Sequence, residues 1–120
     1  MNWKDLKVWE KAHNLVKDLY VISGQFPKDE LYGLTSQMKR ACLSVPANIV
    51  EGQSRNTTKE YIQFLYNSRG SLEETRYYLL LAKDLGFLDE RSHQSLEKNC
   101  EEISKMLNAL VNSLKRGLKG

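Results

Sequence analysis

Apolar residues recur along the chain at intervals of three and four, the period of helices laid on a core. In the first segment Trp9, Ala12, Val16 and Leu19 form one stripe, flanked by Val8, Leu15 and Ile22; the pattern stops around Gly24, ahead of Phe26-Pro27. A second segment runs from about Leu34 to Glu51 on Leu34, Met38, Ala41, Val45 and Ile49, with Gly52 as its expected C-cap. Pro46 falls inside it. Proline lacks an N–H and its ring clashes with the carbonyl four residues back, here that of Cys42, which predicts a kink. The third segment opens on a capping box, Thr57-Thr58-Lys59-Glu60, and carries Tyr61, Phe64, Leu65, Ser68, Leu72, Thr75, Leu79 and Ala82 as far as Gly86. The fourth starts at Asp89, a good N-cap. Its Leu96, Cys100, Ile103, Leu107, Leu110 and Leu114 alternate steps of four and three, a heptad seam.

The links from Gly52 to Thr57 and from Gly86 to Asp89 are of helical-hairpin length and make the flanking helices antiparallel. The expected fold is all-α: an up-down-up-down antiparallel four-helix bundle, one domain over residues 1–120, with helix two kinked at Pro46. The pattern contains neither strands nor repeats. The tail Lys115-Arg116-Gly117-Leu118-Lys119-Gly120 is expected to fray.

The third helix has apolar residues on two faces. Beside its core stripe, a wheel at about 100° per residue places Ile62, Tyr66, Tyr77, Leu80 and Leu81 away from that stripe. A small bundle has too few helices to cover one of its members all round, and large side chains left together in water mark interaction sites. These five are therefore the expected oligomer interface, and a repeated heterologous contact closes naturally into a ring.

Composition bounds the remainder. With 120 residues, 41% of them hydrophobic and 28% charged, the chain suits one folded core and not a disordered polymer. Its net charge of +3 allows an anionic partner without requiring one. Cys42 and Cys100 lie far apart and outside any C-x-x-C spacing, which suits two reduced, buried thiols. Met1 leads directly into Trp3-Lys4-Asp5 with no signal peptide, and the apolar run Tyr77–Ala82 falls far short of the about 20 residues of a membrane span. The expected location is the cytoplasm, with no membrane partner.

Two Glu-x-x-His pairs, Glu10 with His13 and Glu90 with His93, match the spacing of di-iron bundle proteins. Their directions do not suit that role. Glu10 lies about 160° from the centre of its helix's apolar face, and Glu90 about 120° from the seam of helix four, where it complements the helix dipole instead. His93, Glu97 and Cys100, even with Cys42, lack the ligand spacing of a zinc site. No Ser/His/Asp order, phosphate loop or inward carboxylate pair can be assembled. The chain is expected to be no enzyme and to need no cofactor or metal. Gly70, in mid-helix, suggests close helix packing. The candidate phosphate contacts are the outward cations Lys39, Arg40, Arg55, Arg69 and Arg76, with Lys4, Lys7 and Lys11 as second choices; a ring would multiply their charge.

Several stretches carry a resemblance: Trp3-Lys4-Asp5-Leu6-Lys7-Val8-Trp9-Glu10-Lys11-Ala12, Tyr32-Gly33-Leu34-Thr35-Ser36-Gln37-Met38-Lys39-Arg40-Ala41, Ser44-Val45-Pro46-Ala47-Asn48-Ile49-Val50-Glu51-Gly52, Gly70-Ser71-Leu72-Glu73-Glu74 and Met106-Leu107-Asn108-Ala109-Leu110. Together these resemble a bacterial four-helix-bundle family that includes proteins encoded by intervening sequences within 23S rRNA genes. Cys42 stands where that family more typically has alanine. The family is similar to the accessory variability determinant of diversity-generating retroelements. That resemblance implies a homopentameric barrel with no catalytic role that binds nucleic acid, here expected to be structured RNA; the alternative reading is a protein–protein adaptor, such as an accessory subunit that docks a retroelement reverse transcriptase.

Overall fold

A computed structural model describes residues 2–119. Its four helices are α1 (Lys7–Ser23), α2 (Leu34–Gln53), α3 (Thr58–Asp84) and α4 (Glu90–Lys119). One-turn 3-10 segments at Trp3–Asp5 and Lys28–Glu30 precede α1 and α2. Around the bundle α1 packs on α2, α2 on α3, α3 on α4 and α4 on α1, with no direct backbone approach across either diagonal among the described residues. That cyclic order is the up-down-up-down arrangement. The bundle measures 50 × 24 × 20 Å.

Local chemistry sets the helix ends. The Thr57 hydroxyl accepts from the Glu60 N–H at 3.2 Å and caps the start of α3, while the Glu60 carboxylate reaches back to the Thr57 hydroxyl, which donates to it at 2.9 Å, and not to the Thr57 N–H of a full capping box. Gly86, with φ +82°, ends it: its N–H reaches the Lys83 carbonyl at 3.0 Å and that of Phe87 reaches Ala82 at 2.9 Å, a Schellman closure that needs a left-handed residue. Asp89 Oδ1 accepts from the Ser92 N–H at 2.7 Å and begins α4. That bond holds the Asp89 carboxyl below its ordinary range. The α1–α2 and α3–α4 loops meet at one end of the bundle, where the Phe26 and Phe87 rings lie 5.9 Å apart.

Helix α2 is continuous from Leu34 to Gln53 with Pro46 inside it and the proline ring buried. The buried Ser68 hydroxyl on α3 donates to the carbonyl of Val45 at 2.8 Å, joining the two helices beside the proline. Gly52 does not end α2, as its sequence position suggested; the C-cap is Ser54. Gly52 is instead a point of close approach between α2 and α3. A Cβ there would meet Phe64 Cβ at 2.8 Å and the Tyr61 carbonyl at 3.2 Å. Gly70, expected to serve close packing, faces open space with nothing within 4 Å of a Cβ.

The core differs in rotation from the expected stripes. On α1 it centres on Val8, Ala12, Leu15, Val16 and Leu19, while Trp9 is half-buried with its ring stacked on His13 at 5.0 Å. On α4 the seam runs Leu96, Cys100, Ile103, Leu107 and then Val111; Leu110 and Leu114 only flank it. A straight helix turns every 3.6 residues and drifts away from a strict heptad, so the last core position moves on by one. Helix α4 extends to Lys119, and Gly120 lies outside the described residues.

Helix α3 buries a wide arc because it meets α2 on one side and α4 on the other. Ile62, expected at an oligomer interface, is 6% exposed and belongs to the core of its own chain. Tyr66 and Leu81 are half-buried against that core. Of the five expected interface residues only Tyr77 and Leu80 are exposed, at 57% and 41%.

Candidate nucleic-acid interface

The seam between α3 and α4 changes character along its length. Where the C-terminal half of α4 lies beside the start of α3, the ring of Tyr66 collects two cations, with the Arg69 guanidinium 4.8 Å and the Lys115 ammonium 5.4 Å from its centroid. Arg69 Nη1 donates to Asn108 Oδ1 at 2.9 Å. This end holds little negative charge to neutralise them. From Ile103 to Leu118 the chain carries Lys105, Lys115 and Arg116 and no carboxylate, and from Tyr61 to Leu72 its one charged residue is Arg69.

One step along the seam Arg76 sits between two carboxylates. Its Nη1 donates to Glu73 at 2.8 Å, its Nε donates to Glu97 at 2.9 Å, and its Nη2 also pairs with Glu97. The Glu97 carboxylate, reinforced by Glu73, holds the guanidinium above its ordinary range despite the opposing effect of burial. Here the seam opens into a groove of about 430 Å³ lined by Glu73, Arg76, Tyr77, Leu80, His93 and Glu97. His93 Nε2 is buried there without a hydrogen-bond partner among the described residues. Residues 73–102 carry eight carboxylates against four cations.

Exposed apolar side chains collect at this second end. Tyr20, Val21, Leu31 and Tyr32, around the α1–α2 connection, and Tyr77, Leu80 and Leu85 on α3 make up seven of the nine large exposed hydrophobics among the described residues. The molecule therefore has a basic end and an apolar, acidic end.

The five candidate phosphate contacts do not form one patch. Lys39 lies toward α1 with its ammonium 4.7 Å from the Tyr20 ring centroid, and Arg40 lines a shallow pocket with Glu74 on the α2–α3 side. Arg55, at the α2–α3 hairpin, is paired with Glu51 at 2.6 Å and lies over Phe64. Arg69 and Arg76 share the α4-facing flank of α3, but Arg76 is paired with Glu73 and Glu97. Among the second choices, Lys11 is paired with Glu102 at 2.9 Å and Lys4 lies 5.5 Å from the Trp3 ring; Lys7 is exposed at the start of α1. Lys115 and Asn108 escaped the sequence reading. The absence of any carboxylate after Glu102 was the signal that could have found them.

The residues weighed for chemistry are dispersed. Glu10, His13 and Glu90 are exposed, and among the described residues no group of three or more His, Cys, Asp and Glu side chains could hold a metal ion. Cys42 and Cys100 are buried free thiols, each pushed up to about 12 by that burial. Among the described residues no helix is long and apolar enough to cross a membrane.

The sequence matches the 23S rRNA-intervening sequence protein family over residues 4–109, which takes in all but the ends of the bundle. The chain belongs to that family. A solved structure from Bacteroides thetaiotaomicron VPI-5482, described as a protein of unknown function from the S23 ribosomal protein family, shares the fold at a TM-score of 0.81 and 20% identity, covering 87% of this chain and 97% of its own. A comparison with curated proteins finds no significant match. Within the family match lie both the Tyr66–Arg69–Asn108 contact and the apolar groove, whereas Lys115 lies beyond it.

Proposed function

We propose that this chain is a non-catalytic, homo-oligomeric scaffold that binds nucleic acid, RNA in particular, through its basic end. The observation that carries the reading is the separation of the two ends. Arg69, Lys105, Lys115 and Arg116 gather on the carboxylate-free stretches 61–72 of α3 and 103–118 of α4, and exposed apolar side chains gather at the opposite loops. An end with clustered exposed apolar side chains suits contact between protein copies. A basic end whose Arg69 and Lys115 have no carboxylate partner among the described ion pairs suits phosphate, and its charge multiplies with each copy added. The resemblance to the retroelement accessory protein sets the expected number of copies at five.

Light scattering at micromolar concentration, followed by titration with a labelled stem-loop RNA at increasing salt, tests the reading. The expected result is an oligomer whose RNA affinity falls linearly in logarithmic terms with salt. A monomer would end the scaffold reading, and no RNA affinity, or affinity indifferent to salt, would end the nucleic-acid reading.

A further inference from the structure

The geometry points to a phosphodiester-binding clamp formed by Arg69 and Lys115 over the ring of Tyr66. The inference rests on the reading of this chain as a nucleic-acid binder and assigns that function a place. Arginine and lysine side chains in water sample many rotamers, and holding one still for a ligand costs entropy. Here one aromatic ring supplies the restraint, because both cations lie within 5.5 Å of the Tyr66 centroid and a tyrosine ring attracts positive charge.

Arg69 is oriented by a neutral group. Its bond to the Asn108 amide oxygen fixes Nη1 and leaves the full positive charge and the remaining guanidinium donors for a phosphate oxygen. Tyr66 and Arg69 are half-buried, so the platform is part of the folded seam, while Lys115 is exposed and reachable. The same seam shows what a neutralised arginine looks like. Arg76 spends its donors on Glu97 and Glu73, and no comparable carboxylate stands beside Arg69 or Lys115 among the described ion pairs. The ligand class is the sugar–phosphate backbone of RNA, read for charge and not for base sequence.

Two double variants with the same net charge provide the test, assayed by fluorescence anisotropy on the full chain with a labelled stem-loop RNA. One is Arg69→Glu with Lys115→Glu. The other is Arg91→Glu with Lys98→Glu, exposed cations toward the acidic end. The clamp predicts that the first loses at least about tenfold in affinity at low salt and that its salt slope becomes shallower by about one to two. The second should lose far less. Thermal unfolding checks both folds, and if the first double melts early, Arg69→Gln with Lys115→Gln takes its place with the same expected direction. Tyr66→Leu should weaken binding several-fold by releasing the two cations.

If the wild type binds RNA and both doubles behave alike, the clamp is wrong and the nucleic-acid reading stands. If the wild type binds no RNA, both fall. Binding to phosphatidylserine vesicles through Arg69 and Lys115, without RNA binding, would also overturn both and identify the ligand as a membrane surface.

Discussion

Arg69 and Arg76 lie seven residues apart on the same flank of α3, each facing α4, and they meet opposite surroundings. Arg69 finds an amide at Asn108 and an aromatic ring at Tyr66. Arg76 finds the carboxylates of Glu73 and Glu97. A helical wheel gives the two the same outward direction, so direction cannot separate them. The facing helix decides: α4 presents Glu97 at one level and Asn108 three turns later. The contrast extends to whole ends. Ile62 and Leu80 share a wheel angle, yet Ile62 is 6% exposed at the basic end and Leu80, beside the groove, is 41% exposed. The basic end is sealed and charged; the other end is open and apolar.

The strongest way to break this comparison is to charge the open end. Tyr77→Glu with Leu80→Glu should convert an oligomer to a monomer, read by sedimentation velocity, while leaving the helical circular dichroism intact, because neither side chain belongs to the buried core. An undiminished oligomer would remove the open end from the assembly contact.

Next in size is a change at the sealed end. Gly52→Ala places a methyl against Phe64 and the Tyr61 backbone, which cannot move without parting α2 from α3. A loss of about 1–2 kcal/mol in urea unfolding is expected. A smaller effect sharpens the contrast between the arginines themselves. Glu73→Gln with Glu97→Gln should free Arg76, costing about 1 kcal/mol of stability from a partly buried network. It should also raise RNA affinity several-fold by creating a second unneutralised arginine on the seam. Unchanged affinity would mean that carboxylates are not what distinguishes the two positions. Smallest of all, Gly70→Ala should stabilise the chain by about 0.5–1 kcal/mol, since the methyl meets open space and glycine is a poor residue in mid-helix.

The four helices and their order were legible in the sequence because spacing and capping are local. Thr57, Gly86 and Asp89 mark boundaries through bonds to residues at most five positions away. What depended on a neighbouring helix was not legible. Gly52 and Gly70 look alike along the chain, and only the nearness of α3 makes one a packing requirement and leaves the other free. Ile62 looked surplus to its stripe because a wheel shows one helix, whereas two neighbours set the buried arc. The candidate cations suffered in the same way. Their outward direction was readable, but the ion pairs that occupy Arg55 and Arg76 are not written in spacing alone. Lys115 was missed because its partner ring lies on another helix.

The division of labour between the ends is tested most directly by hydrogen–deuterium exchange of the wild-type protein with and without a stem-loop RNA. The account predicts added protection in residues 61–72 and 103–118, around Tyr66, Arg69, Asn108 and Lys115, with residues 77–85 unchanged. Protection centred on residues 77–85, with none at the start of α3 and the end of α4, would contradict it.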